Sequence, residues 1–332
     1  MLVRSVCAAV DRTLTHALLA APVGVAALSR FESRERERSR TWEALTQSDP
    51  GAVARAAASV ASMSMGEVLD VCLAAAGDAG PWNPGATDYL ARSYPDAEHR
   101  RPIAVAIADR FGQQLQAPID LRAQQWWWSS GGDEVTGRPR PRSEFEHVYS
   151  NGEFTWAGEW TVSDPPSEVH QGLLPGWDFG NAAVRWSVEV DPAARVYRID
   201  RPEDWVALVE RFPKVASREH SGWELPGVNS RREPDRVGLE SLSGGRARRS
   251  HIQGHLLPDW RAVAAHFDGV HLSWAGFLTT EGYISDLPGG EVTMLRYWSS
   301  ERTHWLNDVF GERTPLPTPH LSGRRFAYDH GG

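Results

Sequence analysis

The stretch PEDWVALVERF, residues 202–212, is nearly repeated as PDWRAVAAHF at residues 258–267. Each copy carries Trp, two aliphatic residues and Phe at positions i, i+3, i+4 and i+7, which fall on one face of a helix. Each also begins with proline and an acidic residue, a pair suited to the first turn of a helix. We therefore predict two short helices, anchored in a hydrophobic core by their Trp and Phe side chains.

Around these two helices the hydrophobic pattern has a period of two, which is typical of strands. Residues 147–156, HVYSNGEFTW, form a predicted hairpin because Asn151 and Gly152 suit a type I′ turn. Residues 186–190 and 195–199 read as a strand, a turn and a second strand. A further strand is predicted at 270–273, and residues 292–298 and 303–310 are predicted to form two more strands, or a strand and a helical turn.

The first third of the chain has a helical period instead. Helices are predicted at residues 2–19, 31–45, 52–63, 67–76 and 103–115, with Gly77 ending the fourth. The predicted fold class is α+β. A helical domain (1–128) is followed by a linker (129–143), by a mixed and mostly antiparallel sheet domain that contains the two Trp-anchored helices (144–311), and by a flexible tail (312–332). Trp126, Trp127 and Trp128 stand at the predicted boundary.

Composition narrows the class of protein. A net charge of −8 argues against a general nucleic-acid binder, since phosphate neutralisation requires a basic surface. Two cysteines cannot build a disulfide framework, which favours a reducing compartment. The apolar stretch 17–28 is shorter than the roughly 20 residues of a spanning helix and contains Pro22 and Gly24. The prediction is a soluble cytoplasmic protein with no membrane segment.

The sequence contains no P-loop, GxGxxG, HExxH, GxSxG or paired CxxC motif, and so predicts no cofactor. His251 and His255 are four residues apart, but Gly254 disfavours a helix there and no metal site is predicted. His271 and Ser273 would share one face of a strand, with Trp274 and Glu281 following. One interpretation is a half-buried strand whose polar side chains are satisfied by hydrogen bonds within the protein. The functional alternative is a ligand pocket that His271 helps to line, in which Ser273 forms hydrogen bonds, Trp274 stacks and Glu281 accepts a hydroxyl or stabilises positive charge.

Arg198 is the other polar residue that requires an explanation, because it lies in an apolar strand. A buried arginine needs a carboxylate or an anion, and Asp200, Glu189 or a ligand phosphate are the alternatives. Glu153 and Trp156 add an acidic and an aromatic group in the first hairpin. Fifteen tryptophans favour a sugar or a nucleobase as ligand, since both stack on indole rings.

The segments VYSNGEFTWAGEWTV, RPEDWVALVERF and PDWRAVAAHFDGVHLSWAGFL resemble a group of uncharacterised actinobacterial proteins, which implies a shared fold and lineage. A more limited resemblance is to the ADP-ribosyltransferases, which place an arginine, a serine-rich strand and a glutamate in the order of Arg198, Ser273 and Glu281. That resemblance implies catalytic roles for Arg198 and Glu281 and NAD as the substrate. The Ser-Thr-Ser and Glu-x-Glu patterns of that family are absent from this sequence.

Two functions of different class follow. The first is a small-molecule binding or transferase-type domain for a nucleotide or a sugar, with glycosyl or ADP-ribosyl transfer as the activity. The alternative is an interaction protein that binds a partner through residues 1–128. The alternative predicts a contiguous exposed apolar patch on the N-terminal helices.

Overall fold

The computed structural model describes residues 14–37, 49–79, 97–129, 160–163, 183–215, 254–295, 298 and 300–317. The described helices are α1 (Leu14–Ala20), α2 (Pro22–Glu37), α3 (Pro50–Val60), α4 (Met65–Ala79), α5 (Arg101–Leu115), α6 (Pro202–Arg211), α7 (Trp260–Ala264) and α8 (Trp274–Thr280). The described strands are β1 (Gln124–Ser129), β2 (Trp160–Ser163), β3 (Ala183–Val190), β4 (Val196–Ile199), β5 (Pro213–Val215), β6 (Leu256–Pro258), β7 (Gly269–Leu272), β8 (Ile284–Asp286), β9 (Val292–Met294), β10 (Arg302–Trp305) and β11 (Phe310–Leu316). The predicted α+β class is confirmed.

The apolar stretch near the N-terminus is helical on both sides of a sharp bend. The axes of α1 and α2 differ by 90°, and Pro22 begins the second helix, where its missing N–H costs nothing. A Cβ at Gly24 would lie 2.3 Å from the carbonyl oxygen of Leu18, so glycine permits the close approach at this bend. Pro22 and Gly24 therefore redirect the chain but do not end the helical region.

Among the described residues, no single helix is long and apolar enough to cross a membrane. Leu14–Ala20 and Pro22–Glu35 reach that length and apolarity only when taken together, across the bend.

Helices α3 and α5 begin at or near the residues where the sequence predicts a helix start, whereas the predicted end of α4 differs from the observed one. Asp49 caps α3 by accepting a hydrogen bond of 2.9 Å from the backbone N–H of Gly51. Helix α5 begins at Arg101, within two residues of the predicted start, and ends at Leu115 as predicted. Helix α4, however, continues to Ala79, so the prediction that Gly77 ends it is wrong. One glycine lowers helix stability by only about 1 kcal/mol, and neighbouring residues can offset that cost.

Seven strands form one sheet in the order β11-β3-β1-β2-β10-β7-β4. All neighbours pair antiparallel except β4 and β7, which are parallel. Strand β1, which contains the three consecutive tryptophans, lies near the middle and pairs with both β2 and β3. Residues 124–129 therefore belong to the sheet and not to a helical domain or a linker, in keeping with the strand preference of aromatic residues.

Strands β3 and β4 are neighbours in the chain but lie far apart in the sheet. The turn between them is held by Asp191, whose carboxylate accepts from the N–H of Ala193 at 2.8 Å. After this turn β4 crosses to the opposite edge and pairs with β7. Strand β11 forms the other edge, so residues 312–316, which were predicted to belong to a flexible tail, continue the sheet beside β3. Residues 147–156 and 318–332 lie outside the described residues.

The repeated phrase forms α6 and α7, whose tryptophans meet in the core. Trp205 is fully buried, Trp260 is 3% exposed, and their ring centroids lie 6.4 Å apart. Asp259 caps α7 by accepting from the N–H groups of Arg261 and Ala262. In α6 the carboxylate of Asp204 reaches back and accepts a hydrogen bond of 2.9 Å from the backbone N–H of Asp200.

A single hydrophobic core joins the N-terminal helices to the sheet. The buried cluster includes Leu28 in α2, Ile107 in α5, Phe277 in α8 and Val270 in β7. Every residue of α8 is buried, and this helix contacts both α2 and α5. The predicted boundary between residues 128 and 129 therefore falls inside β1. The described N-terminal helices and the sheet share one hydrophobic core.

Replacing Gly276 with alanine should destabilise the fold, because α8 lies directly against the end of β4. A Cβ at this position would lie 2.1 Å from the carbonyl oxygen of Ile199 and 2.8 Å from Cδ1 of Leu272. We expect the free energy of unfolding to fall by about 1–3 kcal/mol, the usual cost of overpacking. Urea denaturation measures this change.

The matched control is Gly254→Ala, where the new Cβ would make an ordinary contact of 3.4 Å with Cγ of Glu291. Equal stability of the Gly276 and Gly254 variants would contradict the close packing of α8 on β4.

Candidate functional site

One row of side chains crosses four strands of the central sheet. Arg198 of β4 is in register with His271 of β7, His271 with Thr303 of β10, and Thr303 with Thr161 of β2. Registered residues on adjacent strands project from the same face of a sheet. The row is therefore a polar strip on one face, while residues such as Val270 and Leu272 on the opposite face belong to the hydrophobic core.

Glu301 lies at the centre of this polar face, immediately before β10. Its carboxylate accepts a hydrogen bond of 2.8 Å from the hydroxyl of Ser163 and one of 3.1 Å from the backbone N–H of Ser163. Its Oε1 lies 3.6 Å from Nδ1 of His271, and that nitrogen is 2.9 Å from the hydroxyl of Thr303. Glu301 thereby connects strands β2, β10 and β7.

The hydrogen bonds continue from Ser163 toward β1. The amide nitrogen of Gln124 lies 3.4 Å from the Ser163 hydroxyl, and the Gln124 oxygen accepts from Thr161 at 2.5 Å. Thr161 in turn accepts a bond of 2.7 Å from the indole N–H of Trp305. We call these residues the Glu301 cluster: Glu301, His271, Thr303, Ser163, Gln124 and Thr161.

The Glu301 cluster is withdrawn from solvent except at one member. Glu301 and His271 are 3% and 2% exposed, whereas Ser163 is partly exposed. Burial raises the pKa of Glu301 to about 7, against the opposing effect of the bonds from Ser163. Burial also lowers the pKa of His271 to about 3, with a further contribution from the positive charge of Arg198. The pair is therefore poised as neutral imidazole beside a carboxyl group that changes charge near neutral pH.

Arg198 is the predicted site residue whose contacts are most clearly structural. Its Nε donates to Asp200 at 2.7 Å, and its Nη2 donates to the carbonyl oxygen of Gln116, the residue that caps the end of α5. The sequence left Asp200, Glu189 or a ligand phosphate open as the partner. The structure places Arg198 between Asp200 and a helix C-terminus, where a positive charge is favourable.

Ser273 and Trp274 lie at the start of α8 and not in a strand. Because β7 ends at Leu272, Ser273 does not share a strand face with His271; its hydroxyl caps α8 by accepting from the N–H of Gly276 at 3.1 Å. Trp274 belongs to the hydrophobic core and meets Phe277 edge to face, with ring centroids 6.2 Å apart.

Glu281 lies at the opposite end of α8 from Ser273, outside the Glu301 cluster. It is 5% exposed, and its carboxylate accepts a bond of 3.3 Å from the backbone N–H of Trp298. Of the predicted site residues, the structure brings together Arg198 and His271, on adjacent strands. Glu153 and Trp156 lie outside the described residues.

His255 is buried, with 2% of its surface exposed, and its backbone forms an isolated parallel β-bridge with Val292. His251 lies outside the described residues. Within the described part of the chain, no group of three or more His, Cys, Asp or Glu side chains is arranged to hold a metal ion.

Sequence reasoning identified His271 but missed the rest of the cluster. A signal was present, because Glu301 and Thr303 alternate in SSERTHW and Thr161 and Ser163 alternate in WTVS. Polar residues two apart on a strand share a face, which places each pair on the same side of the sheet. The sequence pattern does not show that β2 pairs with β10, and this pairing is what brings the two polar pairs together.

Comparison of the chain with models of known protein families, with curated proteins and with solved structures found no match.

Proposed function

We propose that the polar face of the sheet is a small-molecule site of transferase type, in which Glu301 exchanges a proton with the ligand. The observation that carries this proposal is the buried pair formed by His271 of β7 and Glu301, which immediately precedes β10; Nδ1 of the histidine lies 3.6 Å from Oε1 of the glutamate. Ser163 is the partly exposed member of the cluster, so a ligand would reach the pair past this serine.

The energetic cost of the cluster supports a role beyond folding. A buried ionisable group contributes less stability than an apolar side chain of similar volume, because desolvation costs several kcal/mol. The centre of a seven-stranded sheet is where apolar residues would stabilise most. Perturbed ionisable groups in such positions are concentrated at functional sites.

The chemistry available is general acid–base catalysis. A carboxyl group with a pKa of about 7 is partly protonated at neutral pH and can both donate and accept a proton. In a glycosyl transfer, the protonated carboxyl of Glu301 would donate its proton to the leaving group as the bond from that group to the anomeric carbon breaks. The hydroxyl of an acceptor would form the new bond to the anomeric carbon and release its proton to water. Neutral His271 and the hydroxyl groups of Ser163 and Thr161 would hold the ligand through hydrogen bonds.

This proposal gives the acid–base role to Glu301. The resemblance to the ADP-ribosyltransferases had instead implied a catalytic role for Glu281. The Glu281 carboxylate contacts the backbone N–H of Trp298, and Arg198 is engaged by Asp200 and Gln116. A loss of NAD hydrolysis in Glu281→Gln, with retained hydrolysis in Glu301→Gln, would favour the ADP-ribosyltransferase function instead.

A thermal-shift screen against nucleosides, nucleotides and sugars tests the proposed function. We expect at least one of these ligands to raise the melting temperature, and more strongly at about pH 6 than at about pH 8.5, because the protonated Glu301 donates to it. Glu301→Gln should reduce the shift, while the exposed control Glu210→Gln should keep it. A flat response to every ligand would contradict the proposal.

The alternative function, partner binding through residues 1–128, gains no support from the described helices. Within 14–37, 49–79 and 97–115, Val105 is the large hydrophobic side chain that is exposed, at 39%. One isolated valine does not form the contiguous apolar patch that this function predicts.

A further inference from the structure

We infer that Ser163 is a nucleophile for acyl transfer, with Glu301 as the base that takes its proton and a carboxylic ester as the class of substrate. This inference goes beyond glycosyl transfer and rests on one part of the proposed function, the exchange of protons by Glu301. It follows from the two hydrogen bonds on the Ser163 hydroxyl, from the groups that orient its partners, and from the partial exposure of this residue.

The hydroxyl of Ser163 is directed at the group that would activate it. Its Oγ donates to Oε1 of Glu301 at 2.8 Å, the separation at which a base takes the proton of a nucleophile. The backbone N–H of Ser163 already joins β2 to the same carboxylate at 3.1 Å. Because any residue except proline could supply that N–H, the bond from the hydroxyl is not needed for the strand contact.

A second donor contacts the same hydroxyl oxygen. Nε2 of Gln124 lies 3.4 Å from Oγ of Ser163 and 3.0 Å from the carbonyl oxygen of Asp120, and the two hydrogens of the amide can serve these two acceptors. Thr161 holds the amide in this orientation, because its hydroxyl donates to Oε1 of Gln124 at 2.5 Å. A donor fixed beside Oγ stabilises the negative charge that develops as the proton leaves.

The charges around Glu301 suit it to the role of a base. His271 of β7 is neutral, since burial and the positive charge of Arg198 lower its pKa to about 3. Burial raises the pKa of Glu301 to about 7, against the opposing effects of the bonds from Ser163 and the positive charge of Arg302. Near neutral pH the carboxyl is therefore partly ionised, and it binds a proton more tightly than an ordinary glutamate does.

Ser163 is also the member of the Glu301 cluster that a substrate can reach. It is partly exposed and is the last residue of β2, whereas Glu301, Gln124 and Thr161 are 3%, 0% and 1% exposed. The covalent step requires contact between the ester and Oγ of Ser163. The buried groups act on the ester through this oxygen and keep their other hydrogen bonds.

The reaction has two halves, and Glu301 carries one proton in each. Oγ of Ser163 bonds to the carbonyl carbon of the ester as its proton passes to the Glu301 carboxylate. The bond from that carbon to the alcohol oxygen then breaks, and Glu301 gives the proton to this oxygen, which leaves a free alcohol and an acyl-serine. Water or an acceptor hydroxyl next attacks the acyl carbon and gives a proton to Glu301. Glu301 returns this proton to Oγ as the free acid or the new ester is released.

The test of the nucleophile is covalent labelling of the full chain with a fluorophosphonate, which reacts with activated serine hydroxyls. Mass spectrometry of peptides from the wild-type protein locates the label, so this measurement does not depend on the folding of a variant. We expect the label on Ser163, at a rate that rises as pH increases through about 7, because Glu301 must be ionised to take the proton. In Glu301→Gln the rate should be at least about a hundredfold lower, the contribution of a general base.

Ser62 provides the matched control. It is an exposed serine just after α3, and its hydroxyl donates to the carbonyl oxygen of Ser59 at 2.8 Å and not to a carboxylate. Ser62 should stay unlabelled, and Ser62→Ala should be labelled on Ser163 at the wild-type rate. The acyl step is tested with p-nitrophenyl acetate, which should leave an acetyl group on Ser163. Ser163→Ala should lose both modifications.

The outcomes separate this inference from the proposed function. Labelling of Ser163 no faster than that of Ser62 would overturn the inference, while a ligand found by the thermal-shift screen would still support the proposed function. Equal labelling rates in wild type and Glu301→Gln would overturn Glu301 as the base, and a fluorophosphonate label without acetylation would overturn an ester as the substrate. Labelling of Ser163 that depends on Glu301, with a flat thermal-shift response, would support this inference and contradict the proposed ligand.

Discussion

The wild-type protein should lose stability as pH rises from 4.5 to about 7, and the variant Glu301→Gln should not show this loss. The folded state raises the pKa of this carboxyl, so it binds the proton more tightly than the unfolded chain does. The stabilising effect of protonation is complete below the unfolded pKa of 4.5 and is lost as pH rises through the folded pKa. Glutamine stays neutral and keeps an oxygen that can accept from Ser163.

The expected difference is large. A shift of this size corresponds to about 3 kcal/mol between acidic and weakly alkaline pH, relative to the variant. Urea denaturation of both proteins at about pH 5 and about pH 8 measures it. His271 and His304, each with a pKa lowered by burial to about 3, reduce stability as pH falls below 6.5, but this effect cancels in the comparison because both proteins retain them.

The control for this comparison is Glu210→Gln, which changes the same chemical group at an exposed position of α6. Its stability should follow that of the wild type at every pH. A constant difference in stability between wild type and Glu301→Gln across the pH range would contradict a raised pKa for Glu301.

Replacing Arg100 with methionine should destabilise the protein by about 3–5 kcal/mol, the cost of leaving one partner of a buried ion pair uncompensated. Nε of Arg100 lies 2.7 Å from Oε2 of Glu32, and the two side chains are 8% and 2% exposed. The pair ties α2 to the short 3₁₀ turn Glu98–Arg100, which leads into α5. Denaturation by urea would show the loss as a lower midpoint.

The neighbouring pair provides the matched control. Arg101 binds Glu98 at 2.5 Å, but their side chains are 45% and 69% exposed, so Arg101→Met should leave the midpoint nearly unchanged. Combining Arg100→Met with Glu32→Met should recover much of the lost stability, because neither charge of this pair is then left in the core without the other. A double variant as unstable as the single one would mean that packing and not charge is responsible.

Local sequence signals accounted for most of the helices and for the role of the repeated phrase. The stripe from Trp205 to Phe212 and the cap at Asp259 depend only on residues within one or two turns, and both are present in the structure. The places where prediction was wrong depend on tertiary context. Gly77 continues a helix, and the backbone of Trp126 is paired on both sides within the sheet.

The candidate site depended almost entirely on contacts between distant parts of the chain. Ser163 and Glu301 are 138 residues apart in sequence, yet they share two close hydrogen bonds. His271 could be selected because it lies in an apolar strand, where a polar residue stands out. The signal for Glu301 was weaker: its alternation with Thr303 places the two on one face, but a glutamate beside serine and arginine in SSERTHW is typical of an exposed turn, and its burial follows only from the order of the strands.

The measurement that tests the central claim most directly is a ¹³C NMR titration of the Glu301 side-chain carboxyl, assigned by its absence in Glu301→Gln. The account predicts a midpoint near the pKa of about 7 that burial gives this group, and a further upward shift when a ligand binds to the protonated carboxyl. A midpoint at the ordinary value of 4.5, or one that no ligand moves, would contradict the assignment of Glu301 as the proton-exchanging group of the site.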